Sequence, residues 1–206
     1  MLGLHIGFSG IDGAGKSTQT ALLVKWLREE GENAIRYEET RNFVQEVTDL
    51  MGMRHRLNSG REYLGEGLYM VSMSFEVLRH RMLSISPYVA QGKVIVSSRT
   101  FFDWLAGAMA RGCPPKELAI ATEIVLLGGL PDLTIWLDVS ADVALDRLKN
   151  RGFDTADIGY LRRYRDAFSH LFTNYPHVRV NGDGKIETVR LEVQHVVERL
   201  LAERRA

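Results

Sequence analysis

The sequence predicts an α/β chain, a three-layer doubly wound parallel sheet of about five strands with helices on both faces. Short apolar runs alternate with stretches of helical period along its length. The runs in the middle of the chain are unbroken, as in strands covered on both faces. Strands that alternate with helices pair in parallel through right-handed crossovers.

Each element follows from local pattern. Leu4–Ser9 is an apolar run that ends at a glycine-rich turn. Residues 17–30 follow as a helix with Leu22, Leu23, Trp26 and Leu27 at helical spacing, stopped by Gly31. A second strand is expected over 33–38 and a helix over 41–51. Residues 61–86 carry Met, Leu, Tyr and Val with few breakers, which fits one long helix or two joined ones ending near Pro87. Val94, Ile95 and Val96 mark a central strand over 93–97. Helices are expected over 102–110 and 116–127, a strand over 133–139 behind Pro131, and a helix over Ala141–Lys149. Residues 152–159 are a polar interruption. A helix over 160–172, a short strand over 178–180 and an amphipathic helix over 187–203 complete the chain, the last with Val189, Val193, Val196 and Leu200 as its stripe. No repeat or linker divides these elements, so one domain over 1–206 is expected, with its ligand at the carboxyl ends of the strands.

Composition narrows the function classes. The 206 residues with 45% hydrophobic content suffice for one core and leave little for a second domain. Lys plus Arg and Asp plus Glu number 26 each, so no net positive field attracts nucleic acid or an anionic membrane. A small-molecule partner is expected instead. The lone cysteine, Cys113, has no internal disulfide partner, and His5, His55, His80, His170, His177 and His195 lack metal-site spacing. The start MLGLHIGFSG lacks the basic flank and long apolar run of an export signal, and no apolar run reaches membrane-spanning length. A cytoplasmic, non-membrane protein is expected.

The segment Gly10-Ile-Asp-Gly-Ala-Gly15-Lys16-Ser17 has two glycines with four residues between them, then lysine and a hydroxyl residue, which is the Walker A phosphate-loop pattern. A triphosphate is held by several backbone amides at once, and glycines let the chain curl closely enough to aim them inward. Lys16 adds a point charge, the following helix turns its positive end to the same oxygens, and the Ser17 hydroxyl can complete Mg²⁺ coordination. ATP and Mg²⁺ are the implied ligands, with Gly10, Gly13, Ala14, Gly15, Lys16, Ser17 and Thr18 as the cradle.

With Thr18 and Gln19 added, GIDGAGKSTQ resembles the opening of thymidylate kinases, nucleoside monophosphate kinases of the P-loop kinase fold. PDLTIWLDVSADVALDRLKNRG at 131–152 is similar to the stretch by which that family's fourth strand enters the helix before its lid. PYVAQGKVIVSSR at 87–99 resembles the entry to the third strand, and 160–172 the helix after the lid. The resemblance implies transfer of the γ-phosphoryl group of ATP to a nucleoside monophosphate or related small acceptor, a lid at about 149–160, and a homodimer. It implies catalytic roles for Lys16, Asp12 and Arg99, with Arg99 also holding the acceptor. Gly13 stands where some members place an arginine, so Arg151, with Arg147 behind it, is expected to supply that charge. A solvated helix face pairing with Asp146 is the other reading of these two arginines. Acceptor contacts fall on Arg41, Tyr69, Met73, Arg99, Asp103 and Trp104.

The sequence also departs from the family. Ser98-Arg99-Thr100 stands where an aspartate precedes the arginine, with Asp103 nearby as a conceivable substitute. Gly107 and Ala108 replace side chains that read the pyrimidine, and Val77 replaces an arginine. Glu38-Glu39-Thr40-Arg41 replaces arginine-glutamate-proline-glycine. These departures predict a diverged acceptor site. An ATP-binding protein with little or no thymidylate kinase activity is the alternative, and a phosphate-binding scaffold a third.

Overall fold

The structure, a computed structural model, describes residues 3–38, 42–152 and 157–205. Five strands, β1 (Leu4–Ser9), β2 (Ala34–Tyr37), β3 (Val94–Ser97), β4 (Leu133–Asp138) and β5 (Val178–Asn181), form one parallel sheet in the order β2-β3-β1-β4-β5. The central strands β1 and β3 are buried along their full length and β4 nearly so, whereas the edge strands β2 and β5 are only partly covered. That gradient is the physical source of the unbroken apolar runs.

The helices are α1 (Lys16–Glu29), α2 (Phe43–Arg54), α3 (Gly60–His80), α4 (Ser86–Ala90), α5 (Phe101–Ala110), α6 (Pro115–Leu126), α7 (Ala141–Lys149), α8 (Ile158–Leu171) and α9 (Ile186–Arg205). One set pairs α1 with α9; the other joins α3, α5, α6 and α8. Between them the core gathers Ile6, Phe8, Leu23, Leu27, Phe102, Leu105, Ile135, Leu137 and Phe168. Trp136 packs against Phe168 and Phe172, as its place on a strand leads one to expect.

The long middle segment differs from the expected stop at Pro87. A π-helical turn, Arg81–Ile85, leads from α3 into α4, and Pro87 sits in the first turn of α4, so the chain leaves helix only at Gln91. A proline in a first turn gives up an amide that has no partner there, so it starts a new segment as readily as it ends an old one. The alternative of two joined helices is realised further upstream, at a kink in α3 where Gly65 has φ 74° and ψ 160°.

Candidate functional site

β1 ends at Ser9 in the centre of the sheet and α1 begins at Lys16, so residues 10–15 turn over the carboxyl ends of the strands. Gly15 precedes the helix with φ 93°, a left-handed geometry costly to any residue with a Cβ, and it offers no side-chain cap. The first amides of α1 therefore stay available to an anion, at the positive end of the helix. Gly13 is required for a different reason. A Cβ there would lie 2.5 Å from the Ala144 carbonyl oxygen, because α7 closes directly on the loop. No arginine fits at this position.

The loop carries a buried charge. Lys16 is 7% exposed and its Nζ donates to the carbonyl oxygens of Gly10 and Ile11, the latter at 3.1 Å. The Asp103 Oδ1 lies 3.4 Å away. Burial pushes the Lys16 pKa down, and the carboxylate of Asp103 pulls it back. At the rim, Arg99 donates to Asp12 Oδ1 at 3.2 Å. Asp12, Gly13, Ala14, Gly15, Lys16, Ser17, Ser98, Arg99, Leu148 and Arg151 line a cavity of about 430 Å³.

Two further cavities adjoin this one and share part of its wall. A space of about 240 Å³ shares Ala14, Gly15 and Arg151 with it and adds Thr18, Gln19, Arg147, Asn150, Gly182, Gly184, Ile186 and Val189. A larger space of about 620 Å³ shares Ser17, Ser98 and Arg99 and adds Tyr37, Glu38, Asn42, Gln45, Glu46, Asp49, Ser97 and Trp104. The three lie side by side along the carboxyl ends of the strands and share wall residues, with Lys16 and Arg99 lining the middle one.

The structure brings Asp12, Gly13, Ala14, Gly15, Lys16, Ser17, Thr18, Arg99, Trp104, Arg147 and Arg151 onto the walls of these cavities. Arg147 is not on a solvated face with Asp146: it donates to the Gly182 carbonyl at 2.9 Å and reaches Gly13 O at 3.5 Å, tying α7 to the loop. Met73 is fully buried and Tyr69 nearly so, with the Arg61 guanidinium over the Tyr69 ring, and neither is on the wall of the 620 Å³ cavity. Asp103 is likewise off that wall, behind Lys16. Arg41 and residues 153–156 of the expected lid lie outside the described residues.

Some of the contacts in this half of the molecule escape sequence reading. The place that a side chain on Gly107 would fill is taken by the Arg111 guanidinium, 3.3 Å from such a Cβ, and the Tyr160 hydroxyl at 3.5 Å. Arg111, the C-cap of α5, donates to Tyr160 of α8 and to Glu66 of α3, at 2.8 Å each. The contact between Lys16 and Asp103 spans a long stretch of chain and leaves no local signal. Gly182 and Gly184, which complete the wall of the 240 Å³ cavity beside the expected Thr18, Arg147 and Arg151, carry no motif that marks them in the sequence. Asp138, at the carboxyl end of β4, is occupied otherwise: Arg165 grips both of its oxygens at 2.6 and 3.0 Å, and Arg179 also donates to it. Burial alone would raise its pKa, but these guanidiniums outweigh it and hold the carboxyl below its ordinary range. Among the described residues no group of three His, Cys, Asp or Glu side chains is placed to hold a metal by itself. Magnesium that arrives with a nucleotide needs only one or two protein ligands besides phosphates and water, and the exposed Ser17 beside Lys16 suits that demand.

Comparison with known proteins agrees with this geometry. The family model described as Thymidylate kinase matches residues 8–193. A probable thymidylate kinase of Thermococcus gammatolerans is 30% identical over 96% of this chain and 97% of its own length. A thymidylate kinase of Thermoanaerobacter sp. is 26% identical over 98% of this chain and 100% of its own length. That of Trichodesmium erythraeum is 28% identical, covering 98% of both.

Proposed function

Because this chain belongs to the thymidylate kinase family and is a nucleotide kinase, we propose that it moves the γ-phosphoryl group of ATP to a nucleoside monophosphate, with thymidylate the first acceptor to test. The adjacency of the three cavities, which share wall residues at the phosphate loop and at Arg99, carries this reading. The 240 Å³ space, walled by Thr18, Arg147 and the turn at Gly182 and Gly184, receives the donor's nucleoside. The middle cavity takes the phosphates. The 620 Å³ space takes the acceptor, with Arg99 at the shared boundary and Trp104 offering a flat apolar wall to a base.

Phosphoryl transfer spreads charge over equatorial oxygens, so fixed cations do most of the work. Lys16 and the amino end of α1 hold the β- and γ-phosphates. Arg99, oriented by Asp12, holds the acceptor phosphate in line with them. Arg151, at the end of α7, supplies charge from the other side, in the place that Gly13 cannot fill. The Ser17 hydroxyl would hold Mg²⁺, which when bound neutralises phosphate charge and orients the donor. The acceptor's phosphate oxygen forms the new bond to phosphorus as the bond to ADP breaks, and ADP leaves with the electron pair.

Departures at Val77, Gly107 and Ala108 bear on which base is accepted, and Arg111 and Tyr160 stand where the missing side chain of Gly107 would be. The enzyme acts in the cytoplasm on this reading; no described helix is long and apolar enough to cross a membrane. It works as a homodimer.

A panel of nucleoside monophosphates assayed with ATP and magnesium tests the assignment. Thymidylate or another member should be phosphorylated. Lys16→Ala should lower kcat by about 10²-fold or more, and Arg99→Ala should raise the KM for the acceptor more than that for ATP. Tight ATP binding with no transfer to any member would overturn the kinase reading in favour of a nucleotide-binding protein.

A further inference from the structure

Asp103 stands out among the buried ionisable groups because its surroundings account for only half of it. One oxygen, Oδ2, accepts from the Thr100 amide at 3.0 Å and closes a capping box at the start of α5. The other, Oδ1, is shielded from water and has no hydrogen bond of ordinary geometry among the described residues, although the Ser9 hydroxyl and the Arg99 charge also act on this carboxyl. Its nearest cation is the Lys16 ammonium at 3.4 Å. The N3 position of a capping box needs only one acceptor oxygen, which an amide side chain supplies as well as a carboxylate. A buried carboxylate left half unpaired is costly unless a charge answers it.

Lys16 has the complementary deficiency. Its ammonium carries three donors; it donates to Gly10 O and Ile11 O and its remaining side faces Asp103. To reach phosphate oxygens it must leave the two loop carbonyls. Asp103, on the α5 side and fixed by its cap, is the partner that need not be given up. Ser98, at the tip of β3, offers no charge for this purpose.

We infer that Asp103 is a positioning residue for the phosphate lysine, holding one N–H of Lys16 so that the other two face the transferring phosphoryl group. This rests on the kinase reading for its consequence in turnover, but not for the contact itself. Asp103 does not touch substrate; it acts through Lys16. The cap at Thr100 fixes the oxygen of Asp103 that does not face Lys16.

The test is a double-mutant cycle read in two ways. ATP affinity with magnesium is measured by calorimetry for the wild type, Asp103→Asn, Lys16→Ala and the double variant; kcat is measured with ATP and thymidylate. Asparagine keeps the cap acceptor, so α5 should still start at the same place. If Asp103 acts through Lys16, the fold-change in ATP Kd produced by Asp103→Asn should differ by about three-fold or more between the Lys16 protein and the Lys16→Ala background. In the otherwise wild-type protein kcat should fall about ten-fold, with the KM for ATP changed far less. Thr100→Ala, which removes the cap from the other side, should lower the melting temperature without that loss of kcat. Equal fold-changes in the two backgrounds, or a kcat loss matched by Thr100→Ala, would overturn the inference and leave Asp103 a cap. Should Asp103→Asn not fold, Asp103→Glu enters the same cycle under the same criteria. A wild type that binds ATP yet phosphorylates no acceptor would count against the kinase reading, while the binding cycle would still decide the role of Asp103.

Discussion

His5 lies in the middle of β1, buried, between two partners that dictate its protonation. Arg81 donates to its Nδ1 at 2.6 Å, and since a guanidinium can only donate, that nitrogen must accept. The proton then resides on Nε2, which faces the Ser97 hydroxyl at 3.0 Å. Burial, with the Arg81 charge as the second cause, brings the His5 pKa down from 6.5 to about 3. Arg81 is itself held by Gly128 O at 3.0 Å, so the ring has no room to turn away. A group whose folded pKa is depressed gives its full stability above the unfolded value and loses it as pH falls through the interval. Here the loss runs from pH 6.5 down towards 3, and over its first part, to pH 5, it is worth about 2 kcal/mol. Denaturant unfolding of the wild type and His5→Gln across pH 7.5 to 5 checks this. The variant should be less stable at the upper end, and its stability should decline less steeply; parallel curves would refute the neutral buried ring.

At the scale of elements, the sequence is informative where a feature is local and silent where two distant segments meet. The apolar run before Gly10, the lysine and hydroxyl at 16 and 17, and the strand over Val94–Ser97 are all set by near neighbours, and the structure has them where the pattern predicts. Pro87 misled because its effect depends on whether the preceding turn is α or π. The closure of α7 on the phosphate loop is invisible in sequence, since it joins Gly13 to Ala144, yet it changes what each glycine is for. Gly13 has φ 85° and a blocked Cβ direction; Gly15 has φ 93° and open space beside it. Alanine at either position incurs backbone strain, but only at 13 does it also collide with a carbonyl. Without nucleotide, Gly13→Ala should therefore destabilise the protein by about 1 kcal/mol or more beyond Gly15→Ala. Equal losses in chemical denaturation would mean that α7 yields easily and that the loop and helix are not a single unit.

For the whole molecule, the sheet and its two helical layers account for the core but leave one face of the second layer uncovered. Leu68 and Phe75 on α3 and Met82 in the π-helical turn recur every seventh residue, and they are 60%, 57% and 52% exposed. On a helix that interval returns side chains to nearly the same face, which makes a continuous apolar stripe rather than scattered surface residues. Ile120 and Leu127 extend it on and just after α6, which packs against α3. A second copy of the chain can cover such a stripe, because two identical helices related by a two-fold axis present the same residues to each other. Sedimentation of the wild type should show a dimer at micromolar concentration, and Phe75→Glu should move it to monomer by placing an unpaired charge at the centre of the stripe. If the stripe only joins the two copies, ATP affinity should be kept in the monomer, because no α3 residue lines the phosphate-loop cavity. A wild type that sediments as a monomer at every concentration would sink the dimer, and the exposed stripe would then lie open to solvent.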